Sequence, residues 1–111
     1  MKNFIQQGDT IEVLAPYDVT SGGGALVGDL FGVAVTDAAS GAKLQLKTTG
    51  VFDLAKTSAQ AWTPGVVIYW DNTTKKATTT ATSNKVIGVA LLDAANPSAS
   101  GRVRLNGAFG L

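Results

Sequence analysis

Along this chain apolar and polar residues alternate with a period of two in short runs, and most runs end in glycine, proline, asparagine or aspartate. The pattern predicts β-strands, because successive side chains of a strand point to opposite faces. Thr10-Ile11-Glu12-Val13-Leu14-Ala15 sets Ile11 and Val13 on one face and stops at Pro16. Lys43-Leu44-Gln45-Leu46-Lys47-Thr48, entered from Ser40-Gly41, is the clearest half-buried strand, apolar on one side and charged on the other. Arg102-Val103-Arg104-Leu105-Asn106 repeats that alternation after the Asn96-Pro97-Ser98-Ala99-Ser100-Gly101 loop. Other runs are apolar almost throughout. Ala25 to Val35 follows Ser21-Gly22-Gly23-Gly24 and breaks at Gly28-Asp29, and it reads as a strand pair buried on both faces. Val66-Val67-Ile68-Tyr69-Trp70, between Pro64-Gly65 and Asp71-Asn72, and Lys85 to Leu92 read as further buried strands. Gly50 opens Val51-Phe52-Asp53-Leu54, and the Thr-rich Lys75–Thr82 reads as an edge strand with a solvated face. The looser Lys56–Gln60 stretch is predicted to make a short helical turn. Strands at this spacing, joined by turn residues, predict an all-β fold, a small barrel or sandwich with short or no helix.

The runs also repeat. Phe31-Gly32-Val33-Ala34-Val35-Thr36-Asp37-Ala38-Ala39 matches Ile87-Gly88-Val89-Ala90-Leu91-Leu92-Asp93-Ala94-Ala95 at a shift of 56, with six of the nine positions identical. At a shift of 57, Gly8 falls on Gly65, Ile11 on Ile68, Leu46-Lys47 on Val103-Arg104, and Gly50-Val51-Phe52 on Gly107-Ala108-Phe109. The expectation is two quasi-repeated β-units, about residues 8–54 and 65–111, packed around a common core. Gly32 and Gly88 occupy matching sites inside buried strands, where glycine signals close backbone approach or a bulge.

Composition narrows the classes of function. At 111 residues the chain fits one domain, read as an N-terminal arm over 1–8 and a β domain over 9–111. A 45% apolar, 15% charged composition rules against intrinsic disorder, and a net charge of +1 gives no electrostatic reason to capture nucleic acid or an anionic membrane. The N-terminal residues lack an apolar signal-peptide core, and no apolar run approaches the ~20 residues of a membrane span. The expected product is therefore a soluble protein made in the cytoplasm.

Candidate chemistry is sparse. With no cysteine and no histidine, thiol nucleophiles, disulfides and the commonest general base are all missing. Ser21 lies in a Gly-rich loop but not in a Gly-x-Ser-x-Gly elbow, and the same loop lacks the Lys and Ser/Thr that a phosphate-binding loop requires. Asp9, Asp29, Asp37, Asp53, Asp71 and Asp93 mostly sit at strand ends, where an aspartate ordinarily caps a turn, and no Asp-x-Asp-x-Asp calcium loop is present. Arg102 and Arg104 share one strand face, with Lys43 and Lys47 in similar places in the first unit, yet no aromatics interleave with them as in RNA-binding sheets. The reading is a protein with no catalytic residue, no cofactor and no metal. Trp62, Tyr69 and Trp70 are the aromatic cluster, and neighbouring Tyr69 and Trp70 must face opposite ways, one into the core and one to a rim or interface.

The ordered set of segments resembles a known family. Val19-Thr20-Ser21-Gly22-Gly23-Gly24-Ala25-Leu26-Val27-Gly28-Asp29-Leu30-Phe31-Gly32-Val33-Ala34 is similar to the first signature of the capsid cement, or head decoration, proteins of tailed bacteriophages. Gly50-Val51-Phe52-Asp53-Leu54, Val67-Ile68-Tyr69-Trp70-Asp71-Asn72, Ile87-Gly88-Val89-Ala90 and Val103-Arg104-Leu105-Asn106-Gly107 resemble the segments that follow. The resemblance runs from about Gly8 to Phe109. It implies a non-enzymatic virion protein, often trimeric, that sits on the outer capsid surface and clamps neighbouring copies of the major capsid protein. Phe4 and Ile5 of the arm, with Trp62 and Trp70, are the residues expected to contact the capsid or a sister subunit. A tail or fibre accessory module, and a nucleic-acid-binding β-barrel, are the alternative readings.

Overall fold

The computed structural model describes residues 10–106. The arm over 1–8, with its expected contact residues Phe4 and Ile5, and the Gly107-Ala108-Phe109 match lie outside the described residues. Nine strands are described: β1 (Thr10–Leu14), β2 (Gly24–Val27), β3 (Leu30–Ala34), β4 (Lys43–Lys47), β5 (Thr49–Ala55), β6 (Val67–Asp71), β7 (Lys76–Thr78), β8 (Lys85–Ala90) and β9 (Ser100–Asn106). They form two antiparallel sheets, ordered β1-β4-β3-β2 and β5-β9-β8-β6-β7. The all-β expectation is met, and of its two forms the sandwich is the one adopted. A single parallel bridge between Lys56 and Ala77 draws the ends of the second sheet together without closing a barrel.

Local chemistry accounts for the turns. Gly28 and Asp29 join β2 to β3 as a two-residue hairpin loop, and Gly28, at φ +60°, takes the positive dihedral required at the first central position of a II′ turn. No helix occurs among the described residues. In place of the helical turn expected over Lys56–Gln60 there is a bridge residue and a plain turn at Ser58-Ala59, because the first N–H groups are taken by other segments: Lys56 N–H donates to Ala99 O and Thr57 N–H to Ala77 O.

Each sheet is built on the same pairing scheme. Val19 and Ala38 exchange both backbone hydrogen bonds, as do Trp62 and Ala94. Gly22 N–H donates to Ala34 O where Gly65 N–H donates to Ala90 O, and Val35 N–H donates to Gln45 O where Leu91 N–H donates to Arg102 O. Strands β1, β2, β3 and β4 therefore answer to β5, β6, β8 and β9. The later strands correspond at the shifts of 56 and 57 seen in the sequence. The earlier ones do not: Gly65 stands where Gly22 stands, not Gly8, because β7 and its flanking loops are inserted between β6 and β8. Strand β5 hydrogen-bonds to β9 and so completes the second sheet, which divides the chain into a first unit over 10–47 and a second over 48–106 instead of the expected 8–54 and 65–111.

The main core fills the curl of the second sheet with Leu54, Trp62, Ile68, Trp70, Ile87, Val103 and Leu105, and the first sheet adds Phe31 and Val33. Phe31 and Trp70 meet with ring centroids 5.0 Å apart, which locks one sheet onto the other. A smaller core of Ala15, Val19, Ala25, Ala34, Leu44 and Leu46 lies on the other side of the first sheet.

One lysine is part of the interior. Lys56 is 1% exposed, and its ammonium donates to Thr57 O at 2.9 Å, Ser58 O at 3.3 Å and Ala95 O at 3.5 Å, clipping the end of β5 to the loop after β8. Trp62 also lies 5.7 Å from it across its ring face. Lys56→Met is expected to cost about 2 kcal/mol, because three carbonyls lose a charged donor. Burial lowers the Lys56 pKa below the ordinary 10.5. The unfolded chain thus holds this proton to higher pH than the folded one, so this group's contribution makes stability rise with pH on approaching 10.5. Urea titrations of wild type and Lys56→Met between neutral pH and about pH 10 should show the wild type gaining relative to the variant over that window.

Candidate interaction surfaces

The aromatic residues chosen from the sequence separate by burial. Trp70 faces the core at 2% exposure, while its neighbour Tyr69 is half-buried on the opposite face of β6, as the alternation requires. Trp62 is 1% exposed. Its ring fills the space over Gly101, where a Cβ would lie 2.3 Å from the indole. Trp62 and Trp70, expected at a contact with the capsid or a sister subunit, therefore have their rings committed to the interior. Two glycines make this burial possible, since Gly24 leaves room for the Trp70 ring and Gly101 for that of Trp62.

What the second sheet does present is apolar. Val51, Arg104, Val89 and Val67 stand directly opposite one another across β5, β9, β8 and β6, on the face away from the core. A β-bulge lies in β8, where Gly88 pairs with Ile68 but Val86 pairs with Tyr69, so Ile87 is extra. That extra residue allows Val86 and Val89, three positions apart, to share the outer face. Val51 and Val67 are 47% and 44% exposed. Sequence reasoning missed this surface because the row is assembled from four strands, and each valine alone reads as an ordinary strand residue.

An ion pair borders the face: Arg102 donates to Asp53 through Nε and one Nη, at 3.0 and 3.3 Å. On the opposite, core-facing side of β8, Lys85, which stands across from Trp70, bridges to Asp29 at 2.8 Å and ties the β2–β3 hairpin to the start of β8. The hydrogen bond and charge of Arg102 hold the Asp53 carboxyl below the ordinary 3.8. Asp71 is lowered too, by the N–H groups of Thr74 and Thr73 that its side chain caps. A carboxyl whose folded pKa is depressed contributes stability that is complete above its unfolded pKa and is lost as pH falls below about 3.8. Acid unfolding curves of Asp53→Asn and Asp71→Asn should accordingly be flatter than wild type below that pH, with the wild type's advantage over each variant present at neutral pH and closing as pH falls.

A third surface is the open groove, about 780 Å³, between the first sheet's entry loop and the second sheet. Tyr17, the Gly22–Gly24 run, Asp53, Trp70 and Lys75 line it. Tyr17 donates its hydroxyl to Gly24 O at 2.8 Å, and burial raises its pKa above the ordinary 10.0. The Lys75 ammonium lies 4.2 Å from the Tyr17 ring centroid and also donates to Asn72 O, closing one side. The glycine N–H groups are spent within the fold, Gly22 on Ala34 O and Gly23 on Thr20 O, so the loop forms no anion cradle from them. Asp37 accepts the Ser21 N–H and is a turn brace, as its strand-end position implies, and Asp18, which the sequence reading did not single out, accepts the Ser40 N–H in the same way.

Two packed antiparallel sheets with a partly exposed apolar face define a small all-β sandwich module. The comparisons place it more narrowly. The sequence profile described as phage cement protein matches residues 5–105, and the chain belongs to that family. Membership implies a structural role at the phage capsid. No curated protein and no solved structure matches the chain.

Proposed function

We propose that the protein decorates the outer surface of a phage or prophage capsid, binding the lattice of major capsid protein and stabilising it. The family match over residues 5–105 carries this reading. The physical demands of the role agree with the molecule. A cement needs a stiff body, and here two interlocked sheets and a clipped lysine supply it. It needs no reactive group, because its effect comes from bridging neighbours. Many copies, each binding weakly, oppose shell opening collectively. In this reading the protein acts as a closed homo-oligomer, a trimer, and the arm over 1–8 contributes Phe4 and Ile5 to the shell. It is made in the host cytoplasm and needs neither nucleic acid nor membrane as a partner.

The test is co-sedimentation of purified protein with expanded, DNA-free capsid shells over a concentration series. Saturation at a fixed ratio to the capsid subunit is the expected result, with the shells then resisting heat or osmotic shock better than bare ones. Failure to sediment with shells, together with binding to isolated tails, would move the protein to a tail accessory role. Salt-sensitive retention on DNA or RNA would instead support a nucleic-acid barrel.

A further inference from the structure

Because the two sheets share one pairing scheme, their matching faces can be compared position by position. In the first sheet the row Thr10–Lys47–Val33–Gly24 corresponds to Val51–Arg104–Val89–Val67 in the second. Of the first row, Val33 and Gly24 are covered by the molecule's own second sheet, while Thr10 is exposed and Lys47 half-buried. Val33 is 3% exposed in the main core, and Gly24 is so close to Trp70 that a Cβ there would lie 2.6 Å from the ring. The second row has nothing over it among the described residues, and Arg104 forms no ion pair with any of them. One step along the same faces, the Leu26–Phe31 pair packs into the core, whereas its counterpart Tyr69–Val86 is only half-buried. The second sheet thus leaves open, at β8 and β6, a face that its twin buries at β3 and β2. Contiguous exposed apolar surface of this kind marks an interaction site.

Charge identifies the occupant. Residues 10–47 carry Glu12, Asp18, Asp29 and Asp37 against Lys43 and Lys47, a net of −2. Residues 48–106 carry six lysines and arginines against three aspartates, a net of +3. The surface that best complements an apolar face bearing a guanidinium unpaired among the described residues is therefore the acidic first unit of another copy.

We propose that the outer face of the second sheet is a self-association surface, occupied by the first unit of a second copy of this chain. Within one chain the covering surface differs from the face it covers, so the same relation repeated between copies is head-to-tail. A head-to-tail contact closes into a ring when its rotation permits. The proposal rests on the reading that the protein is a homo-oligomer, and it adds which surface makes the contact.

The experiment compares wild type, Val67→Lys and Arg104→Glu by light scattering across a concentration series, with far-UV circular dichroism and tryptophan emission to confirm the fold. Both side chains lie on the outer face, and the buried Trp62 and Trp70 report any disturbance of the core. An oligomeric wild type, with both folded variants associating at least tenfold more weakly, supports the proposal. Should either variant fail to fold, Val51→Lys, which sets a like charge opposite Arg104, takes its place. Folded variants that keep the wild-type mass overturn the proposal while self-assembly stands. A wild type that is monomeric at every concentration, yet still binds shells, removes self-assembly and this surface with it, leaving the capsid role intact. Variants that keep their mass but lose the shells overturn it as well, by assigning the face to the capsid.

Discussion

Gly88→Ala is expected to destabilise the protein by about 3 kcal/mol or more and to lower its melting temperature by roughly 10 °C or more. Gly88 sits in the β8 bulge, and a Cβ built on it would lie 2.0 Å from the carbonyl oxygen of Arg104 and 2.9 Å from that residue's carbonyl carbon. Both are backbone atoms of β9, hydrogen-bonded within the sheet on both flanks, so relief requires moving a central strand. The matching Gly32 is tight for a different reason. Its Cβ would meet Leu46 Cγ at 2.5 Å and Lys47 O at 2.8 Å, and a side chain can yield part of that overlap. Gly41, at φ +83° with nothing within 4 Å of a Cβ, is strained by dihedral alone, and Gly41→Ala should cost only about 1 kcal/mol. The expected order of thermal stability is wild type, Gly41→Ala, Gly32→Ala, then Gly88→Ala, with valine worse than alanine at the last two. Scanning calorimetry of the four proteins checks it, and a Gly88→Ala melt near wild type would refute the close-approach argument.

A volume exchange between the two units yields the second large effect. Trp62 answers to Val19, since each exchanges both backbone hydrogen bonds with Ala94 or Ala38, and Gly101 answers to Leu44, since they pair with Leu54 and Val13. The first unit fills its core with two medium side chains, and the second with one large ring over a bare backbone. Trp62→Val alone should cost about 3–4 kcal/mol by opening a cavity. Gly101→Leu alone should be at least as damaging, because a Cβ would already lie 2.3 Å from the indole. The double variant restores the first unit's solution and should be more stable than either single one by about 2 kcal/mol, a coupling expected only of residues that share a space. Denaturant titration of the four corners of this cycle measures the coupling directly, and simple additivity would mean the two sites do not compete for one volume.

The role of these residues explains how the surfaces stay rigid. The Phe31–Trp70 contact, the Gly24 cradle beneath it and the Lys85–Asp29 bridge all act between the two sheets. Surface-exposed pairs such as Lys85–Asp29 add little stability singly. The buried rings therefore set the angle at which the second sheet's outer face is held, and a fixed angle is what the proposed contact between copies would require.

Much of this was legible in the chain. Alternation at Lys43–Lys47 and Arg102–Asn106, turn residues at Gly28-Asp29 and Pro64-Gly65, and the Gly-Val-Ala match at a shift of 56 determined the strands, the all-β class and the position of two critical glycines. These features are local, governed by side-chain period and dihedral preference, so a linear string records them. The order of segments likewise carried the family. What only the tertiary structure decided was pairing and burial. The insertion of β7 hid the match between Gly22 and Gly65, the loops of the first unit and the curl of the second buried Trp62 and Trp70, and four strands had to align before Val51, Arg104, Val89 and Val67 became one face. A tryptophan has the same chemistry in a core as at an interface, and a valine the same strand propensity on either face. Which of the two each becomes depends on what packs opposite, and that is a property of the assembled sheets.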